Sequence, residues 1–262
     1  MSVSLYVVWF LLASLIGWLH ESLYSIITTG HWEKRGFLFG PFCPIYGAGT
    51  VGALLLFDHP AIASGDFPAW AVFVVSMVGS AILEYSVSVI FERLFGAVWW
   101  DYSNLPFNIN GRICLPASLA FGVAGVVITY LIVPLFHASA TLLSTPVVEL
   151  TALAGMSFLS CDFTTTVLSL SDLMEKITSL DVSINAQADE YVQQTAGALA
   201  AGKDKVVEHV KVEGATIAAR NMISNTAEHL TAQQVRLLGK LRHFRSSELR
   251  NKAELLKKAR RS

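Results

Sequence analysis

Lysine and arginine are scarce over the first two thirds of this 262-residue chain. Residues 1–170 hold four (Lys34, Arg35, Arg93 and Arg112) against nine acidic residues, whereas residues 171–262 hold fifteen bases and eleven acids. A water-soluble fold is hard to build from so little charge, so the mean hydropathy of +0.51 averages an oily part and an ordinary soluble part. Cysteine is also rare. Cys43, Cys114 and Cys161 stand far apart in apolar surroundings, without the CxxC or Cys/His spacing of a zinc site, and read as small buried apolar residues. The first apolar run lacks both a basic lead-in and a small-residue cleavage site, so it is expected to be a retained span rather than a cleaved signal. No proline follows Pro146, so nothing in the tail firmly breaks a helix.

Enzyme signatures are missing as well. Residues Gly197–Lys203 fit the GxxxxGK spacing of a phosphate loop, but Asp204 follows where a Ser or Thr would ligate magnesium, and no strand precedes it. His20 and Glu21 begin an HExxH pattern that ends on Tyr24, so the second zinc ligand is lost. No GxSxG nucleophile turn occurs. The sequence therefore assigns no catalytic residue, no metal and no cofactor, and any ATP hydrolysis would come from a partner chain.

A spanning helix needs about 20 mostly apolar residues. Val3–Ile27, Ala69–Phe91, Ile113–Phe136 and Leu142–Leu170 meet that length directly. Tyr46–Phe57 is apolar but short, and Pro41 and Pro44 forbid a regular helix through residues 36–45. Broken backbone at membrane depth is tolerated where protein or trapped water satisfies it, so residues 36–45 read as a re-entrant or interfacial lead-in to the second span. The expected fold is all-α: a polytopic bundle of five transmembrane helices over residues 1–170, with a cytoplasmic helical tail. The connections after spans one and three carry the four bases, and those after spans two and four carry none. The positive-inside rule then puts the N-terminus outside and the C-terminus in the cytoplasm. Trp32, Trp99 and Trp100 fall at the inner boundary, where indole rings prefer to lie.

Ionisable side chains within spans are costly and so face a partner or a wet cavity. Ser14, Gly17, Glu21, Ser25 and Thr28 recur at helical steps in span one, as do Ser76, Ser80, Glu84, Ser88 and Glu92 in span three. Span four offers Ser118, Gly122, Gly125 and Thr129, and span five Thr151, Gly155, Asp162, Thr165 and Ser169. Small and hydroxyl residues of this kind serve helix packing. Packing does not require the carboxylates. Glu21, Glu84, Glu92 and Asp162 share the cytoplasmic half with Arg35, Arg93, Asp101 and Arg112, and an arginine fork can neutralise a carboxylate at equal depth. A cytoplasm-facing polar pocket follows, and Glu149, near the outer end, lies apart from it.

Four segments occur in order: Arg35-Gly-Phe-Leu-Phe-Gly-Pro-Phe-Cys-Pro-Ile-Tyr-Gly47, Glu84-Tyr-Ser with Glu92, Trp100-Asp-Tyr-Ser103, and Asn108-Ile-Asn-Gly-Arg-Ile-Cys114. This order resembles the family of ABC-transporter permeases of the CmpB type, over about residues 5–170. The resemblance implies a multi-span protein of the bacterial cytoplasmic membrane. It also implies that Glu21, Arg35, Glu84, Glu92, Trp100, Asp101, Asn108 and Arg112 act together.

The tail lies outside the resemblance. Leu173, Ile177, Leu180, Ile184 and Tyr191 follow a seven-residue rhythm, which predicts coiled-coil-like amphipathic helices over residues 171–235. That stretch has a net charge of −4, and residues 236–262 one of +8. A basic amphipathic C-terminal helix is expected there, with Arg242, Arg245, Lys257, Lys258, Arg260 and Arg261 meeting anionic lipid of the inner leaflet. A protein partner is the next reading, and nucleic acid the least favoured.

Three function classes fit these features. One is a permease-like transport component, with an ATPase subunit as partner. Another is a membrane-anchored scaffold or sensor presenting the tail to a protein, or a homo-oligomer. The third is an intramembrane enzyme acting on a lipid head group, in which Arg35 or Arg112 holds phosphate and Glu84 or Asp101 is the base.

Overall fold

A computed structural model describes residues 2–32, 35–58, 68–200, 205–241, 243–244 and 247–261. Apolar composition over long stretches gives the helices α1 (Val3–Thr29), α2 (Pro44–Phe57), α3 (Ala69–Phe95) and α4 (Leu115–Leu142). They are followed by α5 (Thr145–Ala200), α6 (Lys205–Glu228), α7 (Ala232–Lys240) and α8 (Ser247–Arg261). Two-residue strands β1 (Ala97–Val98), β2 (Asn108–Ile109), β3 (Ile113–Cys114) and β4 (His243–Phe244) form two antiparallel pairs, β1 with β4 and β2 with β3. The fold is all-α in substance.

Helices α1, α3, α4 and the first part of α5 are long and apolar enough to cross a membrane. Helix α2 has 14 residues, about 21 Å at 1.5 Å per residue, against a hydrocarbon core of about 30 Å. Pro44 opens it at a position where a missing N–H costs nothing, and the segment before it is non-helical, as the prolines require. One feature was not legible in the sequence: α4 contains a π turn at Ile128–Ile132, just before Pro134.

The chain divides into two compact units, Met1–Phe91 with Trp99–Val167 and Glu92–Val98 with Leu168–Ser262. In the first, three apolar clusters join the helices. Leu5, Leu54, Phe136 and Val148 link α1, α2, α4 and α5. Leu11, Leu38 and Leu159 attach the non-helical segment before α2 to α1 and α5. Ala53, Phe57 and Val72 bring α2 and α3 together, with Val126 and Ile128 of α4 against them.

Small residues set how closely these helices pass. A methyl group on Gly47 would run into Ser14 Oγ and lie 2.6 Å from the Phe10 carbonyl oxygen, and one on Gly17 would meet the Tyr46 ring. Gly122 and Gly125 face Phe73 and Ser76 in the same way, bringing α4 onto α3. The stripes read on spans one and four are therefore packing faces. On α5 the buried face overlaps the predicted one in part: Gly155 packs on Leu11 and Asp162 accepts from the Gly40 N–H, but Thr151 and Thr165 are exposed, and Ala152, Leu159 and Thr166 take inward positions.

In the second unit, Leu170, Leu173, Ile177 and Leu180 of α5 are buried, as are Leu237 and Leu238 of α7, Leu241, and Ala253 and Leu256 of α8. Gln234 (1% exposed) ties α7 to α5: its amide donates to Asp172 Oδ2, and its carbonyl accepts from Lys176 Nζ at 3.2 Å. Thr231 and Gln234 also close a capping box at the start of α7. Residues 236–262 are not one helix but the end of α7, the strand β4 and α8.

Candidate functional site

Several hydrogen-bonded polar side chains of the first unit lie near the second half of α1. Glu21 accepts a hydrogen bond of 2.6 Å from the Tyr46 hydroxyl of α2, which also lies 3.4 Å from His20 Nδ1. Glu84 of α3 is 6% exposed, and its Oε1 accepts from the Tyr102 hydroxyl at 3.4 Å. Its second oxygen, Oε2, is closed to solvent and has no hydrogen-bond partner among the described residues. The Glu21 carboxylate lies close enough to act electrostatically on both Glu84 and Tyr102. Two carboxylates and two phenols from α1, α2, α3 and the loop after α3 thus share one place. Burial above all, then the negative charges of Glu84 and Glu21, push the Tyr102 phenol well above its ordinary range. Tyr102 accordingly remains a donor.

The loop between α3 and α4 is held by its own polar groups. Asp101 Oδ1 accepts from the backbone N–H of Ser103 at 2.9 Å and from its hydroxyl. Asn108 donates to the carbonyls of Ser103 (3.2 Å) and Leu105 (2.9 Å) and accepts from Gly111 N–H (3.1 Å). Asn110 and Gly111 carry the reversal between β2 and β3 with φ of 53° and 67°, and a side chain on Gly111 would collide with Asp101 and Ser103. The Asn-Gly pair in this motif is therefore turn chemistry. The turn delivers Arg112, whose Nη1 donates to Ser88 Oγ at 3.0 Å and whose guanidinium stacks 5.5 Å from the Tyr85 ring centre. Trp100 Nε1 caps the Arg112 carbonyl at 2.9 Å.

The polar residues singled out from the sequence thus divide by role. Glu21, Glu84 and Arg112 belong to the buried face around Tyr46, Ser88 and Tyr102. Asp101 and Asn108 shape the loop. Arg35 lies 5.7 Å from the Tyr24 ring centre. Asp162 anchors the segment before α2, since its Oδ2 accepts from Gly40 N–H at 2.9 Å while Thr166 Oγ1 accepts from Phe39 N–H. Glu92 falls in the second unit, at the last turn of α3, where its carbonyl accepts from Gly96 N–H at 2.9 Å. Tyr46 and Tyr102 were missed as site residues, although each stands inside a quoted motif. Their signal is a phenol beside a carboxylate-bearing span, a donor that such a carboxylate requires.

The role of Asp162 makes a prediction. Asp162→Ala leaves the Gly40 N–H unsatisfied and is expected to cost about 1–3 kcal/mol, read as a lowered unfolding temperature in detergent, with Asp162→Asn retaining most of the stability. Equal losses in the two variants would show that the charge, rather than the acceptor, matters.

A groove of about 570 Å³ runs beside this cluster between α3, the loop and α4, lined by Met77, Ala81, Tyr85, Phe107, Ile109 and Ser118 among others. It is largely apolar, and none of Glu21, Arg35, Glu84, Asp101, Asn108 and Arg112 lines it. In the tail, Arg242 and Arg245 lie outside the described residues, as do the side chains of Arg260 and Arg261. Lys257 pairs with Glu254 at 2.8 Å, and Lys258 is exposed.

Four apolar helices of spanning length, packed through small residues and burying the Glu84 carboxylate, define a polytopic α-helical membrane protein. The family model described as "Putative ABC-transporter type IV" matches residues 8–167, more than half of the chain, and the chain belongs to this transporter-type family. No curated protein and no solved structure matches it significantly.

Proposed function

We propose that the chain is a permease-like component of a membrane transport system, with the polar cluster of Glu21, Tyr46, Glu84, Tyr102 and Arg112 as its working site. The observation that carries this reading is the convergence of two carboxylates and two phenols from four separate elements inside an otherwise apolar bundle. Such groups are expensive to bury and are kept where a solute or ion is handled. The chain spans the bacterial cytoplasmic membrane five times, with α2 and its lead-in as the short span, and the cluster faces the cytoplasm. An ATPase subunit would bind from that side. The test is uptake into everted vesicles from producing cells, compared with cells lacking the chain and with Glu21→Gln, over a panel of amino acids, cations and nucleobases. A solute whose energised uptake falls in both comparisons supports the reading. Unchanged uptake of every solute on loss of the chain overturns it.

The orientation has its own test. A C-terminal phosphatase fusion, active only outside the cytoplasm, should be silent, while a C-terminal fluorescent protein that folds in the cytoplasm should shine. An active phosphatase would move the cluster to the opposite face.

A second reading, a scaffold that presents its tail, is favoured by the separate core of the second unit. It predicts that replacing residues 205–262 abolishes function while leaving uptake unaffected.

A further inference from the structure

The cluster contains one atom that its surroundings do not explain. Among the described residues, Glu84 Oε2 is buried with no hydrogen-bond partner, while Oε1 has the long bond from Tyr102. The groups around the carboxyl come from every neighbouring element. Helix α1 brings Glu21, with His20 next to it; α2 brings Tyr46, whose hydroxyl is engaged with Glu21 and His20. The loop brings Tyr102, with Cys114 close behind it, and Arg112, which bonds Ser88, one helical turn along α3 from Glu84, and stacks on Tyr85. The phenols can donate to the carboxyl but not neutralise it, and a buried carboxylate oxygen without a donor is costly to keep charged.

We propose that Glu84 is a proton-binding residue: Oε2 carries an exchangeable proton taken from cytoplasmic water, and Tyr102 donates to Oε1. A proton is the ligand that fits, because Oε2 is sealed from a water-sized sphere and a larger cation would have to displace side chains. Tyr102 remains a phenol and so stays a donor whichever state Glu84 adopts. This deepens the transport reading by naming protons as an ion the site handles, and the experiment separates the two ideas.

Infrared difference spectra of the full-length chain in lipid vesicles, taken across a pH titration, report the carbonyl stretch of a protonated carboxylic acid directly, with no transport needed. The expected result is a titrating band that shifts in heavy water and disappears in Glu84→Gln, but persists in Glu149→Gln. Should Glu84→Gln fail to fold, Tyr102→Phe serves, since loss of the bond to Oε1 must change the frequency of the same band. No titrating band, or a band unmoved by the Glu84 and Tyr102 variants, overturns the proposal. So does a band abolished at constant pH by sodium or potassium chloride but not by choline chloride, which would assign the site to a metal cation. Vesicle uptake that is intact without the chain, alongside a Glu84-dependent band, would sink the transport reading and leave the proton site standing.

Discussion

Replacing Gly47 by leucine is expected to open the crossing of α1 and α2 and to be among the most damaging single changes in the bundle. The glycine lies where the two helices touch backbone to backbone, with Ser14 Oγ and the Phe10 carbonyl oxygen already inside the space a methyl would need. The Phe10 oxygen cannot swing away as a side-chain tip could, because the Ser14 hydroxyl also bonds it at 2.7 Å. Even Gly47→Ala should cost about 1–3 kcal/mol, the usual range for overpacking, and leucine more. The damage would reach the polar site, because Tyr46 is the adjacent residue and its ring fills the notch left by Gly17. Gly49, two residues on, has no atom within 4 Å of its virtual methyl, so Gly49→Ala should be neutral or mildly stabilising. Thermal unfolding of the three variants in detergent checks the contrast. Equal tolerance of alanine at 47 and 49 would mean that α1 and α2 do not pack as described.

The same glycines show what was readable in advance. Long apolar runs mark α1, α3, α4 and α5 because hydrocarbon solvation imposes both length and composition. The small residues of spans one and four mark their packing faces because little else lets membrane helices approach. The π turn of α4 was not readable, since a single added residue in a helical turn leaves no compositional trace beyond nearby Pro134. Nor was the end of span five: α5 continues to Ala200 through Leu170, Leu173, Ile177 and Leu180, where apolar spacing switches from an all-round pattern to one buried stripe without any breaker residue.

The site was legible as a set of residue types at one depth, but not as bonds. Depth follows from position along a span, so Glu21 and Glu84 could be brought to a common level from sequence alone. Which partner each carboxylate takes depends on helix rotation and loop path. The sequence argued for arginine forks on the carboxylates. In the structure, the Tyr46 and Tyr102 hydroxyls bond Glu21 and Glu84, partners that the charge pattern did not name. Asp162 shows the same limit from the other side, because its partner is the Gly40 N–H, in a segment whose course the prolines prevented from being drawn as a helix.

Leu256→Ala is expected to release α8 from the second unit, and it bears on what the basic end of the chain does. Leu256 and Ala253 are fully buried, and Lys252 meets Asp181 of α5 at 3.7 Å with both side chains mostly covered. Removing the Leu256 side chain should cost about 2–5 kcal/mol, the range for emptying a buried leucine site. Hydrogen exchange read along the chain should show α8 losing protection, while Leu255→Ala, at a position 40% exposed, should leave it protected. The apolar stripe that would dip into lipid is thus the stripe that docks α8 on protein. Membrane binding by residues 236–262 then has two states to choose between. Docked, only bases such as Lys258 can reach anionic head groups, each contributing about 1 kcal/mol near the surface and screened over about 8 Å at physiological salt. Undocked, burial of Leu255 and Leu256 adds to that attraction. Anionic vesicles should accordingly bind the isolated 236–262 peptide with a gain of helicity and release it in high salt, and added anionic lipid should lower α8 protection more in Leu256→Ala than in the unaltered chain. A peptide indifferent to lipid charge would leave protein docking as the sole role of this helix.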